Sequence, residues 1–118
     1  MKAQRLRYLG TVLTLSLAAC SHIAPPIESE TPQGNKAVMT LLQEAREQSL
    51  LGNYGLANAK LERALRLEPS YATLWLELAR NKHAEAMTEQ ARSLALKALS
   101  LARDPNTKQQ ARTFLDSL

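Results

Sequence analysis

Residues 52–69 read GNYGLANAKLERALRLEP, and this stretch predicts a turn followed by one amphipathic helix that ends at Pro69. Gly52 and Asn53 favour the end of one helix and the start of the next, because glycine tolerates the left-handed conformation and asparagine caps helices. From Tyr54 onward the small and apolar residues recur every three or four positions, so they share one face. Alanines on that face let a neighbouring helix approach closely, which favours a tight antiparallel hairpin.

The same spacing recurs further along the chain. The positions that recur are Ala45, Ala57, Ala64, Leu65 and Leu67, which return as Ala79, Ala91, Ala98, Leu99 and Leu101. This period is that of a tetratricopeptide repeat, about 34 residues. The first copy resembles that family at the spacing of its signature, which here comprises Ala45, Gly52, Asn53, Tyr54, Ala57, Leu61, Ala64 and Pro69. The resemblance covers residues 38–105 and implies stacked helical hairpins.

The second copy, residues 72–105, resembles the family less closely. It supplies the family's tryptophan as Trp75. It departs at the turn, where Ala86 stands at the position of Gly52, and its closing proline, Pro105, arrives two positions late. We expect a hairpin in this copy as well.

The start of the chain resembles the signal peptide of a bacterial lipoprotein. Its basic segment holds Lys2, Arg5 and Arg7, and an apolar core and the run LAAC at 17–20 follow. The alternatives are an ordinary secretory signal and a membrane-spanning helix, but the apolar core is shorter than the roughly 20 residues that cross a bilayer. We expect residues 1–19 to be removed as the signal.

Cys20 is the only cysteine, so the chain cannot form an intrachain disulfide. The lipoprotein resemblance implies that Cys20 becomes the first residue and carries a diacylglyceryl thioether and an amide-linked fatty acid such as palmitate. Several acyl chains make a stable anchor. Ser21 follows where retained lipoproteins have Asp, which implies the periplasmic face of the outer membrane of a Gram-negative bacterium.

Removing the signal also changes the charge balance. The three basic residues of residues 1–19 leave with it, so 12 Lys and Arg remain against 11 Asp and Glu. A nearly neutral chain outside the cytosol gives no support for nucleic-acid binding.

Residues 20–35 predict the lipidated cysteine and a solvated tether. The tether contains Pro25, Pro26, Pro32 and Gly34 and has no helical or alternating period. Fully extended, it reaches at most about 50 Å.

Residues 36–118 predict an all-α domain of two antiparallel hairpins and a C-terminal capping helix, a short α-solenoid. The expected helices are 36–51, 54–68, 71–83, 89–102 and a fifth from 105. The expected capping residues are Asn35, Ser70 and Thr88, and Asp104-Pro105 is expected to start the fifth helix because proline suits the first helical position.

The predicted domain offers little for catalysis, and we expect no enzyme activity. It has one histidine, no cysteine and no glycine-rich phosphate loop. His83, Glu85 and Glu89 could form a weak metal site, but exposed polar residues of a loop explain them better. We therefore expect no metal and no cofactor beyond the covalent lipid on Cys20.

A binding groove is the remaining prediction. In the tetratricopeptide family the first helix of each repeat lines a concave groove, with its second, fifth, ninth and twelfth positions facing it. The resemblance implies groove positions at Met39, Leu42, Arg46, Ser49, Thr73, Leu76, Arg80 and His83, extended to Thr107, Gln110 and Phe114. This groove would be apolar along its middle with two stacked arginines. The alternative is that Leu42 and Leu76 pack between helices and that both arginines are ordinary solvated charges.

The resemblance implies a membrane-anchored protein-interaction module in the periplasm. The layout resembles outer-membrane lipoproteins that activate a bifunctional penicillin-binding protein, the peptidoglycan synthase. The alternatives are a lipoprotein that assists assembly of pili or outer-membrane proteins, and a structural lipoprotein that self-associates through its ends.

Overall fold

The computed structural model describes residues 35–118, and the predicted signal peptide, Cys20 and nearly all of the tether lie outside that range. The described part is all-helical, which confirms the predicted fold class. Its five helices are α1 (Lys36–Leu50), α2 (Tyr54–Leu67), α3 (Ala72–Ala84), α4 (Thr88–Leu101) and α5 (Pro105–Asp116).

The helices pack as two hairpins and a closing helix. Helix α1 pairs with α2, α3 pairs with α4, and α5 packs on α4. Helix α2 also packs on α3, which stacks the second hairpin on the first. Helix α3 contacts both α1 and α5, so these three helices lie side by side. We call this side of the short α-solenoid the α1–α3–α5 face.

The turn between α1 and α2 has the backbone that the sequence predicts. The N–H of Gly52 donates to the carbonyl of Ser49 at 3.0 Å, and the N–H of Asn53 donates to the carbonyl of Gln48 at 2.9 Å. This pair of bonds is a Schellman motif, which needs a left-handed residue after the helix. Gly52 supplies it with φ +77°.

The turn between α3 and α4 has the same structure one repeat later, although an alanine replaces the glycine. Ala86 N–H donates to the carbonyl of His83 at 2.9 Å, and Met87 N–H donates to that of Lys82 at 2.8 Å. Ala86 has φ +62°, close to that of Gly52. A Cβ in this conformation costs about 1 kcal/mol, so packing of the second hairpin must hold the turn in place.

One of the three predicted helix caps is confirmed, and α5 starts at Asp104-Pro105 as expected. The Asn35 side chain accepts from the N–H of Val38 at 3.0 Å, and the Asp104 carboxylate accepts from the N–H of Thr107 at 2.7 Å. The Asp104 cap lowers the pKa of that carboxyl below its ordinary value, because the negative charge accepts these hydrogen bonds.

The other two predicted caps are wrong. Helix α3 starts after Tyr71 rather than Ser70, and α4 includes Thr88 and follows Met87, with no side-chain cap bond at either start. Both helices follow short turns, so chain reversal and packing set their first residues.

The core is built from the small and apolar residues that recur along the sequence. Its larger cluster comprises Val38, Leu41, Leu42, Ala45, Leu61, Ala64, Leu65, Leu74 and Leu78. A smaller cluster of Leu76, Ala98 and Ala111 joins α3, α4 and α5. Trp75 packs against both clusters, and its indole N–H donates to the carbonyl of Pro69 at 2.8 Å. Trp75 therefore joins the two hairpins.

Candidate protein-binding face

The apolar middle that we expected for the groove is not on the surface. Leu42 is 2% exposed and Leu76 is 1% exposed, and each belongs to a core cluster. Their side chains point between helices because the hairpins need leucines there to fill the space beside the alanines. This corrects the groove prediction: a partner on the α1–α3–α5 face cannot reach Leu42 or Leu76.

The two arginines do meet on this face, and a carboxylate joins them. Arg46 on α1 donates to Glu77 Oε1 from Nε at 2.9 Å and from Nη2 at 2.7 Å. Arg80 on α3 donates to the same oxygen from Nη1 at 3.2 Å. The Glu77 side chain is 14% exposed, whereas those of Arg46 and Arg80 are 44% and 39% exposed. One partly buried carboxylate thus holds two guanidinium groups at the surface.

Helix α5 extends this arrangement. Arg80 Nη2 donates to Gln110 Oε1 at 3.2 Å, and Gln110 in turn donates to Asn106 at 3.3 Å. One turn further along, the rings of His83 and Phe114 meet edge to face with their centroids 5.9 Å apart. The predicted positions on α3 and α5 therefore lie together in pairs.

We call Arg46, Glu77, Arg80 and Gln110 the arginine ridge. Two cations share one carboxylate, so the ridge carries a net charge of +1. A guanidinium has five N–H donors, and the described contacts of each arginine use only some of them. Exposed ion pairs contribute little to stability, typically about 0.2–1 kcal/mol. The main effect of the contacts in the ridge is to hold the guanidinium groups of Arg46 and Arg80 in fixed positions. In these positions they can bind a second carboxylate, supplied by a partner.

Met39 and Thr73 lie nearer the N-terminal ends of α1 and α3. The Tyr71 hydroxyl donates to Met39 Sδ at 3.7 Å, and Met39 is half-buried. Thr73 lines an open cleft of about 210 Å³ beside Arg103. Arg80 follows Thr73 by seven residues, about 10 Å along a helix axis. These two residues extend the face lengthwise but are not part of the ridge.

Ser49, the last groove position expected on α1, belongs to a buried polar chain instead. Its hydroxyl donates to Asn81 Oδ1 at 2.8 Å, and Asn81 donates to Asn58 Oδ1 at 2.9 Å. Asn58 then donates to Glu85 at 3.1 Å. Because the buried amides are hydrogen-bonded to one another, this chain fixes the register of the two hairpins.

The same chain explains Glu85, which we had weighed as a metal ligand. Besides the bond from Asn58, Glu85 pairs with Lys82 at 3.4 Å. Within residues 35–118 no group of three or more His, Cys, Asp or Glu side chains is arranged to hold a metal ion.

Glu77 is the residue that sequence reasoning left out of the face. It precedes Arg80 by three residues on one helix, a spacing at which opposite charges meet. That local signal could have found the Glu77–Arg80 pair, but not the contact with Arg46, which depends on how the hairpins stack.

Comparison with protein-family models, curated proteins and solved structures finds no match to this chain. The resemblance to tetratricopeptide lipoproteins therefore stays a prediction from the sequence. Among the described helices, none is long and apolar enough to cross a membrane.

Proposed function

We propose that this protein is a lipid-anchored interaction module of the bacterial envelope that docks on another envelope protein through the arginine ridge. The observation that carries the proposal is the convergence of Arg46 and Arg80, from successive hairpins, on one Glu77 oxygen. The proposed anchor is a lipid on Cys20, at the periplasmic face of the outer membrane. The proposed role is regulation of an envelope enzyme, such as the bifunctional penicillin-binding protein that synthesises peptidoglycan.

The chemistry of the ridge defines the partner. An acidic side chain or a chain-terminal carboxylate of the partner could accept hydrogen bonds from both arginines in addition to those that Glu77 accepts. Each guanidinium can donate two parallel hydrogen bonds to a further carboxylate. With Leu42 and Leu76 in the core, the half-buried ring of Phe114 beside His83 supplies apolar surface on the same face as the ridge. The fitting segment therefore carries an acidic residue with an apolar or aromatic residue near it.

Crosslinking in intact cells tests this proposal. A photoreactive amino acid placed at Gln43, which is exposed on α1 three residues before Arg46, should capture one main envelope protein that mass spectrometry identifies. The matched control places the same group at Glu62, which is exposed on α2. Capture of a peptidoglycan synthase from the face alone supports the proposal. Capture of a protein that assembles pili or the outer membrane would show that the partner is not a peptidoglycan synthase. Capture of a second copy of the chain would show self-association instead of docking on another protein.

A further inference from the structure

Three exposed leucines flank the turn of the first hairpin. Leu50 and Leu51, at the end of α1, are 89% and 71% exposed, and Leu56, in the first turn of α2, is 51% exposed. Half-buried Tyr54 lies between them in the sequence. We call Leu50, Leu51 and Leu56 the leucine tip.

The turn itself does not need these leucines. The second hairpin makes the same two turn hydrogen bonds one repeat later, and the residues equivalent to Leu50 and Leu51 are Ala84 and Glu85. The leucine tip therefore adds apolar surface to a backbone turn that also forms without these leucines.

The leucine tip is also free of charge. Residues 48–59, QSLLGNYGLANA, contain no Asp, Glu, Lys, Arg or His, whereas the second turn is flanked by Lys82, Glu85 and Glu89. Lys60, the next charge on α2, follows Leu56 by one helical turn, about 6 Å along the axis, and is paired with Glu44 at 2.6 Å. On α1 the next charge, Glu47, is about 4.5 Å from Leu50. Contact with an apolar phase could therefore only be shallow.

We propose that the leucine tip inserts into the lipid–water interface of the leaflet that anchors the chain. This inference rests on the lipid anchor of the proposed function. Helix α1 separates the leucine tip from Asn35 by about 22 Å, while residues 21–34 can reach about 46 Å when extended. The tether is thus long enough for the hairpin to turn its tip toward the same membrane.

A lipid surface fits this patch better than a protein does. Three leucine side chains offer less apolar area than the roughly 800 Å² per partner that a stable protein interface buries. Shallow insertion of uncharged apolar side chains is weak alone, but a short tether holds the leucine tip at an effective concentration in the millimolar range. The anchor and the leucine tip then act as two linked contacts. The contact would set the orientation of the arginine ridge relative to the membrane.

Fluorescence quenching in vesicles tests the inference. The chain 20–118, which contains all five helices, is coupled through the Cys20 thiol to a maleimide lipid in vesicles of phosphatidylcholine with brominated acyl chains. Leu51→Trp places a tip reporter in the leucine tip, and Leu96→Trp places a control reporter on α4 at another solvent-accessible leucine, 52% exposed. Trp75 gives the same background in both variants.

We expect the tip reporter to emit further to the blue once the chain is coupled to vesicles, and to be quenched in brominated relative to unbrominated lipid. The contribution of the control reporter should change in neither respect. Adding Leu50→Ser to the Leu51→Trp chain should reduce the quenching. The inference would be overturned if the tip reporter and the control reporter were quenched equally, or if neither reporter were quenched. Loss of a crosslinked protein partner on changing Leu50 and Leu51 to Ser, with the tip reporter unquenched, would also overturn it. The anchor is chemical and no partner is present, so failure here leaves docking at the arginine ridge untouched.

Discussion

Ala86 adopts the left-handed backbone conformation of Gly52, one repeat further along, and makes the same turn hydrogen bonds. An alanine is strained in this conformation and a glycine is not. We predict that Ala86→Gly stabilises the domain by about 0.5–1 kcal/mol, because relief of strain exceeds the added entropy of the unfolded chain. Thermal unfolding should shift upward by about 2–8 °C for a domain of this size.

Gly52→Ala is the reciprocal control. A Cβ at Gly52 would meet no atom within 4 Å, so its cost is conformational only and should lower stability by about 1 kcal/mol. If Ala86→Gly leaves the melting temperature unchanged or lowers it, the strain assigned to the second turn is wrong.

Ala64 is fully buried between the helices of the first hairpin. Enlarging it to Leu should force the hairpin apart and cost about 1–3 kcal/mol, a large share of the stability of a small domain. Ala59→Leu is the matched control because Ala59 lies on the same helix and is exposed. Chemical denaturation of both variants checks the prediction, and equal stabilities would contradict the close helix packing described here.

Asp104 should make the domain sensitive to acid. Its folded pKa lies below the ordinary value of 3.8 because it accepts the N–H of Thr107. A carboxyl with a lowered folded pKa stabilises the fold above its unfolded pKa, and this stabilisation is lost as the pH falls through the folded pKa. Unfolding free energy, measured from pH 6 down to pH 2, should therefore fall in the acid range.

Asp104→Asn isolates that contribution, since the amide oxygen can still cap α5 but does not titrate. The difference in unfolding free energy between the unaltered chain and the Asp104→Asn chain should shrink as the pH drops below about 4. A difference that stays constant across this range would show that the Asp104 cap does not titrate with folding.

Cys20 is predicted to carry the lipid. Cys20→Ser removes the acylated thiol, so we expect the chain to leave the membrane fraction or to keep its signal. Fractionation and a mass measurement of the processed chain check this, with an Ala18→Gly chain as the control that preserves a small residue before Cys20. Unchanged membrane binding and processing of Cys20→Ser would contradict lipidation.

Local signals in the sequence predicted much of the fold. The recurrence of Ala57 and Ala64 at Ala91 and Ala98 predicted the hairpins, and all four alanines are fully buried. The left-handed turn was expected at Gly52. Asn35 was predicted as a cap and Asp104-Pro105 as the start of α5, and both predictions are confirmed.

The predictions that failed depend on how the hairpins stack. The sequence left open whether Leu42 and Leu76 face a groove or pack between helices, and the structure places both leucines in the core. A pattern along one helix cannot fix the rotation of that helix, because an apolar residue suits either place. Glu77 became a bridge between hairpins for the same reason: its contact with Arg46 joins residues 31 positions apart.

Binding of the crosslinked partner to an arginine-ridge variant tests the central claim most directly. Since Glu77 is mostly buried, changing both arginines to Glu would crowd three carboxylates together. Arg46→Gln with Arg80→Gln removes the charge and keeps donors toward Glu77. The control is Arg63→Gln with Arg66→Gln, which removes the same charge from exposed positions of α2. Circular dichroism should show intact helices in both.

The measurement is a calorimetric titration of each variant with the partner. We predict that the ridge variant binds at least about tenfold more weakly than the unaltered chain, a change of about 1.4 kcal/mol, and that the Arg63 and Arg66 variant binds as the unaltered chain does. Undiminished binding by a folded ridge variant would contradict docking through Arg46 and Arg80.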